Sequence, residues 1–390
     1  MNNIKKSGIL LIILSLSILL VILVGCAGPA ATTAPATSAV PPKTTATSAS
    51  AATAVTAATT AAPTTSSASQ PAAGKIVLTM AGTVPEADIK TRAVRGFIDE
   101  VQQKSNGRVQ INFFPGGQLI ADKDMVTSVP SGMADLAQCQ MGGFSGIVSE
   151  TQLFDLRFVY ANEDHWFAVA EGKIGDIMAQ KLQAKANIKF LSFLAMGSAD
   201  CWSSTNKVMR TPEDFKGVKF RVPPSALLVK SMSALGGNVV VISEGELYTA
   251  LQSGVVSATL SMVGVYNDNK WYEVAPYVAQ MTISPNASHS IVANLNSWNK
   301  LPPDIQQIIQ TAAKNATIWC RATTKSNNEN YWTTVNKLKD SGKIKEIYKI
   351  PDTVVTKFSD IVIPVQKAVI EGDPNMTPGV WDMIQQARPK

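Results

Sequence analysis

The chain has 390 residues, with 35 Lys and Arg against 29 Asp and Glu, two His and four Cys. A formal charge of +6, scattered without a basic block, excludes a nucleic-acid binder. Two histidines leave little acid–base machinery, and no Cys/His cluster has the spacing of a zinc site.

Lys5 and Lys6 precede an unbroken apolar run from Ile9 through Val24. A short basic start and an apolar stretch are the parts of an export signal. The run ends in Leu23-Val24-Gly25-Cys26, which resembles the bacterial lipobox. That resemblance implies that residues 1–26 form a lipoprotein signal, that Cys26 takes a lipid, and that the mature chain starts there. The alternative is an uncleaved membrane anchor, since the run approaches the ~18 residues that span a bilayer. Both readings place the rest of the protein outside the cytoplasm. Residues 27–74 are almost entirely Ala, Thr, Ser and Pro, with Lys43 as their only charge. Such a segment cannot bury enough apolar area to offset its ordering entropy, so a disordered tether is expected. Fully stretched it reaches roughly 160 Å.

Residues 75–390 exceed a typical single core, which predicts two domains. Lys75 to Met80 reads as a strand. A helix from about Asp88 places Ile89, Ala93, Phe97 and Val101 on one face. Val109, Ile111 and Phe113 alternate as a strand. A helix over 122–129 follows, then a strand from Ala134 to Cys139. The spacing next predicts one helix around 163–185 and an apolar strand from Ile188 to Ala195. Val218 to Val222 is a strand stopped by Pro223-Pro224, and Ser225 to Leu235 a helix ended by Gly236-Gly237. After a strand from Asn238 to Ile242, Ser243 and Glu246 have capping-box spacing at a helix start. Val255 to Leu260 is the next strand. Beyond Pro302-Pro303, apolar positions including Ile305, Ile309, Ala316, Trp319, Tyr331 and Val335 predict one very long helix or two in series. Ile344 to Ile350 reads as a strand, followed by a helix bent at Pro364. Alternating strands and helices imply an α/β fold with mostly parallel sheets and a cleft at the strand ends. Cys139, Cys201 and Cys320 are too widely spaced for a disulfide framework and read as buried thiols.

Several segments, in order, resemble the periplasmic solute receptors of tripartite ATP-independent periplasmic (TRAP) transporters, in the dicarboxylate-receptor family. They are Ser105-Asn106-Gly107-Arg108-Val109, Phe114-Pro115-Gly116-Gly117-Gln118-Leu119, Gly132-Met133-Ala134-Asp135, Thr211 through Pro223, and Glu246 through Val256. The resemblance covers essentially all of 75–390. It implies a two-domain, periplasmic-binding-protein-like α/β fold with a hinge, a ligand cleft and a long helix crossing both domains. Domain I is expected over 75–197, with roughly 283–305 returning to it. Domain II is expected over 198–282, completed by roughly 325–390. The resemblance further implies a receptor and not an enzyme, no cofactor, a small organic carboxylate as ligand and TRAP-type membrane permease subunits as partners. A receptor serving another permease or a sensor kinase would have a similar cleft.

Arg221, in the Lys-x-Arg-Val-Pro strand, stands where the family's arginine pairs with the ligand carboxylate. A planar guanidinium suits a carboxylate and stays charged when buried; an internal ion pair is the alternative. Lys219 reads as a solvated lysine. Asp122 and Gln140 lie in loops that face the cleft in related receptors, although Asp122 also suits a helix start and Gln140 a loop surface. Glu244 could hold a ligand amine or serve the helix start. Trp202, Trp271, Tyr266 and Tyr272 are candidate stacking walls or core residues. Three stretches depart from the family's pattern. No arginine follows Gly197; Ser257 to Ser261 replaces a usual polar contact, leaving Ser261 at best; and Arg157 stands where the family has Pro. These departures favour a monocarboxylate with an apolar or aromatic body. One rival remains. Ser204-Thr205-Asn206-Lys207 matches the Ser-x-x-Lys of serine hydrolases, but the expected partner triplet is missing from the exported part.

Overall fold

A computed structural model describes residues 74–194, 198–285 and 289–389, so the export signal, Cys26 and the tether lie outside the described residues. Two sheets are built from β1 (Ile76–Gly82), β2 (Val109–Phe114), β3 (Leu136–Gln140), β4 (Ile188–Phe193), β5 (Ser198–Ser204), β6 (Lys219–Val222), β7 (Asn238–Val241), β8 (Ala258–Ser261), β9 (Tyr277–Pro285), β10 (His289–Asn294) and β11 (Glu346–Lys349). The first has the order β2-β1-β3-β10-β4 and the second β11-β9-β5-β8-β6-β7. The chain passes from one to the other between β4 and β5, and back between β9 and β10.

Neither sheet is as parallel as expected. β1 runs parallel to β2 and β3, but β10 is antiparallel to both β3 and β4. β5 is likewise antiparallel to β8 and β9. A crossing strand explains this. It enters its new sheet from the cleft edge, where the other strands end, and must run against them. The sequence reading assigned no strand to β5, β9 or β10.

The helices are α1 (Ile89–Lys104), α2 (Met125–Ser128), α3 (Glu163–Ala170), α4 (Lys173–Ala186), α5 (Ala226–Ala234), α6 (Leu247–Gln252), α7 (Val263–Asp268), α8 (Leu295–Asn299), α9 (Pro303–Asp340), α10 (Asp352–Glu371) and α11 (Val380–Gln386). On α1 the stripe Ile89, Ala93, Phe97 and Val101 is buried as its spacing requires, against Val109 and Ile111 of β2. Each large apolar side chain so removed from water contributes about 1.5–3 kcal/mol. The helix expected over 163–185 is two, α3 and α4, because Gly172 interrupts it and starts the second.

α9 is one continuous helix of 38 residues, about 57 Å long. Pro303 occupies its first turn, and Gly342 follows its end with φ 78°. Its first half is tied to β4, where Ser192 Oγ donates to the Ala313 carbonyl at 2.8 Å. Its second half packs on α7 and β11. Trp319, read as part of the apolar face, is 44% exposed beside the exposed Ile318. α10 begins in the core of the second sheet, where Phe358 and Val362 are buried, and ends in that of the first, with Ile370. Val380, Trp381 and Ile384 of α11 join the first core as well. Residues beyond about 370 thus return to the first sheet instead of completing the second. Cys139 and Cys320 are buried free thiols, and Cys201 is buried too.

Candidate functional site

The cleft between the sheets narrows to a cavity of about 40 Å³ lined by Lys90, Gln140, Arg157, Arg221, Glu244, Ser261 and His289, with Leu194, Pro223, Leu260, Met262, Val265 and Trp271 as its apolar wall. That is room for roughly three waters.

The loops that close the cleft touch. Pro115-Gly116-Gly117 folds back on the end of β1: Gly116 N–H donates to Val84 O and Gly117 N–H to Gly82 O, each at 2.8 Å. Both glycines have positive φ, which explains that motif. A Cβ on Gly245, from the opposite side, would meet Gly116 O at 3.3 Å and Thr83 O at 3.5 Å. A side chain there would press on the Gly116 carbonyl, so glycine suits this close approach.

Beside it lies a buried charge cluster. Asp88 caps α1 by accepting from Lys90 N–H at 2.8 Å. Lys90 Nζ reaches Asp88 Oδ2 at 3.3 Å and both oxygens of Glu244 at 3.1 Å, and so joins the first sheet's helix to the second sheet's loop. Asp88 and Lys90 are fully buried. Burial works against both charges, but their mutual attraction wins, lowering the Asp88 pKa and raising that of Lys90. For Glu244 burial wins, helped by Asp88 against Lys90, and its carboxyl is pushed up. Burial and Lys90 hold His289 neutral, its pKa well below the usual value.

Arg221 is the penultimate residue of β6 and is 4% exposed. Its Nε donates to Ile242 O at 2.7 Å, which fixes the fork, and the residue lines the cavity. Burial disfavours its charge, and Glu244 and Asp122 compensate in part. Asp122 is buried in a 3₁₀ turn just before α2 and does not line the cavity. Burial pushes its pKa up to about 6, against the pull of Arg221.

Of the residues read from sequence, Arg221, Gln140, Glu244 and Ser261 come together at the cavity. Gln140 ends β3 and donates to Asp155 Oδ1 at 3.0 Å. Ser261 ends β8. Glu244 faces Lys90 instead of starting a helix. Ser243 is no cap either: α6 begins at Leu247, and Ser243 Oγ donates to the Glu246 side chain at 2.6 Å. Trp202 is not brought in. Its ring lies in the second core at 4.6 Å from both Phe215 and Phe358, because it points away from the cleft on β5. Trp271 lines the cavity and Tyr266 belongs to the core. Lys219 is exposed. Sequence reasoning missed Lys90 and His289, and took Arg157 only as a departure. Lys90 did carry a signal: it precedes Val94, Phe97 and Val101 on a buried stripe where an unpartnered lysine has no place.

The Ser-x-x-Lys geometry is absent where the motif stands. Lys207 Nζ bonds Asp214 at 2.7 Å, and Ser204 Oγ donates to the Lys207 carbonyl. Among the described residues no His, Cys, Asp and Glu group could hold a metal ion.

Two α/β layers that meet at a polar cleft, crossed by one long helix, are the architecture of a two-sided solute-binding protein. The profile of "bacterial extracellular solute-binding protein, family 7" matches residues 80–373, and the chain belongs to that family. The C4-dicarboxylate-binding periplasmic protein DctP of Rhodobacter capsulatus is 26% identical over 302 residues, 77% of this chain and 88% of that protein. A TRAP periplasmic solute-binding protein from Sulfurospirillum deleyianum, with bound succinate, shares the fold at TM-score 0.72 and 23% identity, over 81% of this chain and 100% of that one. A second, from Roseobacter denitrificans with bound β-D-glucuronate, gives 0.69 at 23% identity, over 79% and 99%.

Proposed function

We propose that the protein captures a small carboxylate-containing solute in this cleft and delivers it to TRAP-type membrane permease subunits. The observation that carries the reading is Arg221, a buried arginine that lines the cavity with one guanidinium nitrogen tied to backbone. The relatives with bound succinate and glucuronate support a carboxylate. The chain passes four times between the two sides, twice by strands and then along α9 and α10: residues 75–193 with 289–320 and 370–389 form one lobe, and 198–285 with 346–362 the other. A ligand that touches both lobes gains its full contacts only when they close. Thermal-shift screening of succinate, D-glucuronate, D-galactonate and D-erythronate against uncharged polyols is expected to pick out at least one acid. Small-angle scattering of residues 75–390 should then show a smaller radius of gyration with that acid at saturation. An unchanged curve sinks the moving hinge, and a blank screen sinks the carboxylate.

The lipid anchor belongs to this proposal, supported by Leu23-Val24-Gly25-Cys26 and the tether that follows. Cells fed a labelled fatty acid should label the protein and lose that label on Cys26→Ser. No label on the wild type rules the anchor out.

A further inference from the structure

Arg157 lies on the loop before α3, at the seam of the two sheets. Its guanidinium is 1% exposed and lines the same cavity as Arg221. Among the described residues its Nε and Nη1 find no hydrogen-bond partner. The residue is nevertheless held firmly. Its backbone N–H donates to Gln366 Oε1 at 2.7 Å, and Gln366 Nε2 donates back to its carbonyl at 2.9 Å. Gln366, from α10, is fully buried. The next residue, Phe158, donates its N–H to Ile283 O of β9 at 3.0 Å and takes a left-handed φ of 65°. A bulky side chain rarely accepts that conformation, and such strain gathers at binding sites.

A guanidinium out of water, with nitrogens unbonded, is among the most costly groups a protein interior can hold. A structural arginine would be bonded by carboxylates or carbonyls. Asp155 supplies charge nearby and is itself engaged by Gln140. We propose that Arg157 is a second ligand-gripping guanidinium of the cleft and closes on a pair of anionic oxygens of the solute. This rests on the carboxylate reading above. It also supplies the arginine missing after Gly197, from another part of the chain. The oxygen pair belongs either to the carboxylate that Arg221 holds or to a second acidic group at the ligand's far end.

The test uses the whole protein with succinate, butyrate and D-glucuronate, in calorimetry and melting curves, for wild type, Arg157→Met and Arg157→Lys. Succinate and butyrate share a carbon chain and differ by one carboxylate. Arg157→Met is expected to lose at least about thirty-fold in affinity for each acid the wild type binds. Arg157→Lys should lose less, because an ammonium keeps the charge but not the fork. The ligand-free melting temperature should not fall in Arg157→Met, since an unbonded buried charge has been removed. If a second acidic group is held, the wild type prefers succinate and Arg157→Met removes the preference. If one carboxylate is shared, both acids bind and both are lost. Affinity retained in Arg157→Met overturns the assignment while leaving the carboxylate reading intact. A lowered melting temperature with retained affinity overturns it in favour of a structural role. Should Arg157→Met not fold, Arg157→Lys decides: weaker binding at an unchanged melting temperature supports the grip, and equal binding overturns it. A wild type that takes none of the acids overturns the carboxylate reading and this assignment together.

Discussion

Replacing Arg221 by alanine should lower carboxylate affinity by roughly 30- to 4,000-fold and leave the fold standing. A carboxylate taken into the cleft loses its water, so it needs a fixed positive partner. Truncating one member of a buried, hydrogen-bonded charge pair costs about 2–5 kcal/mol, at ~1.4 kcal/mol per decade. Among the described residues Arg221 makes one hydrogen bond within the protein, from Nε to Ile242 O, so its loss removes little from the fold. Arg221→Lys should recover only part of the loss. Calorimetry with the acid chosen by the screen, beside a melting curve, separates the cases. Unchanged affinity in Arg221→Ala would falsify the assignment, and a collapsed melting temperature would instead mark Arg221 as structural. The same titration has a pH signature. Asp122, at about 6, takes up a proton as pH falls from 7.5 to 5.5, which removes a negative charge beside Arg221. A carboxylate ligand with an ordinary pKa near 4 stays ionised over that window. Affinity should therefore rise as pH falls, and Asp122→Asn should remove part of the rise, the rest coming from Glu244, whose carboxyl is pushed up to about 8.

Lys90→Met should destabilise the protein by about 3–5 kcal/mol, the usual cost of stranding buried partners. Asp88 and Glu244 would then face each other with no cation between them, and Asp88 is also the cap of α1. Denaturant unfolding measures the loss. Glu244, pushed up to about 8 even with Lys90 beside it, already holds its proton near pH 7.5, so Asp88 is the carboxylate that escapes the penalty on acidification, and the deficit should be larger at pH 7.5 than at pH 5. Adding Glu244→Gln to Lys90→Met should return part of the stability. A loss below about 1 kcal/mol, the range of an exposed pair, would show that the cluster contributes little.

Much of this was legible in the residues. The stripe on α1, the stops at Pro223 and Gly236, and the apolar run of α9 each obey a local rule, so each element could be read from its own few residues. Arg221 was legible because its strand carries both a motif and a stop. β5, β9 and β10 were not, since their pairing depends on where the chain crosses between sheets. Trp202 shows the same limit. Its place near a crossing suggested the cleft, but the face of β5 on which it stands turns it to Phe215 and Phe358. Lys90 and Glu244 are 154 positions apart and meet only because two loops touch. No spacing rule reaches that far.

The clamp of Gln366 on Arg157 also sets an order in time. Gln366 stands in the last tenth of the chain, and the backbone it grips lies more than two hundred positions earlier. A chain exported amino end first brings out Arg221 and the whole of both sheets while α10 is still on the inner side. Until α10 follows, the backbone of Arg157 lacks the two bonds that Gln366 supplies at the seam. On the export reading, the seat of the proposed second arginine is therefore the last part of the cleft to be completed.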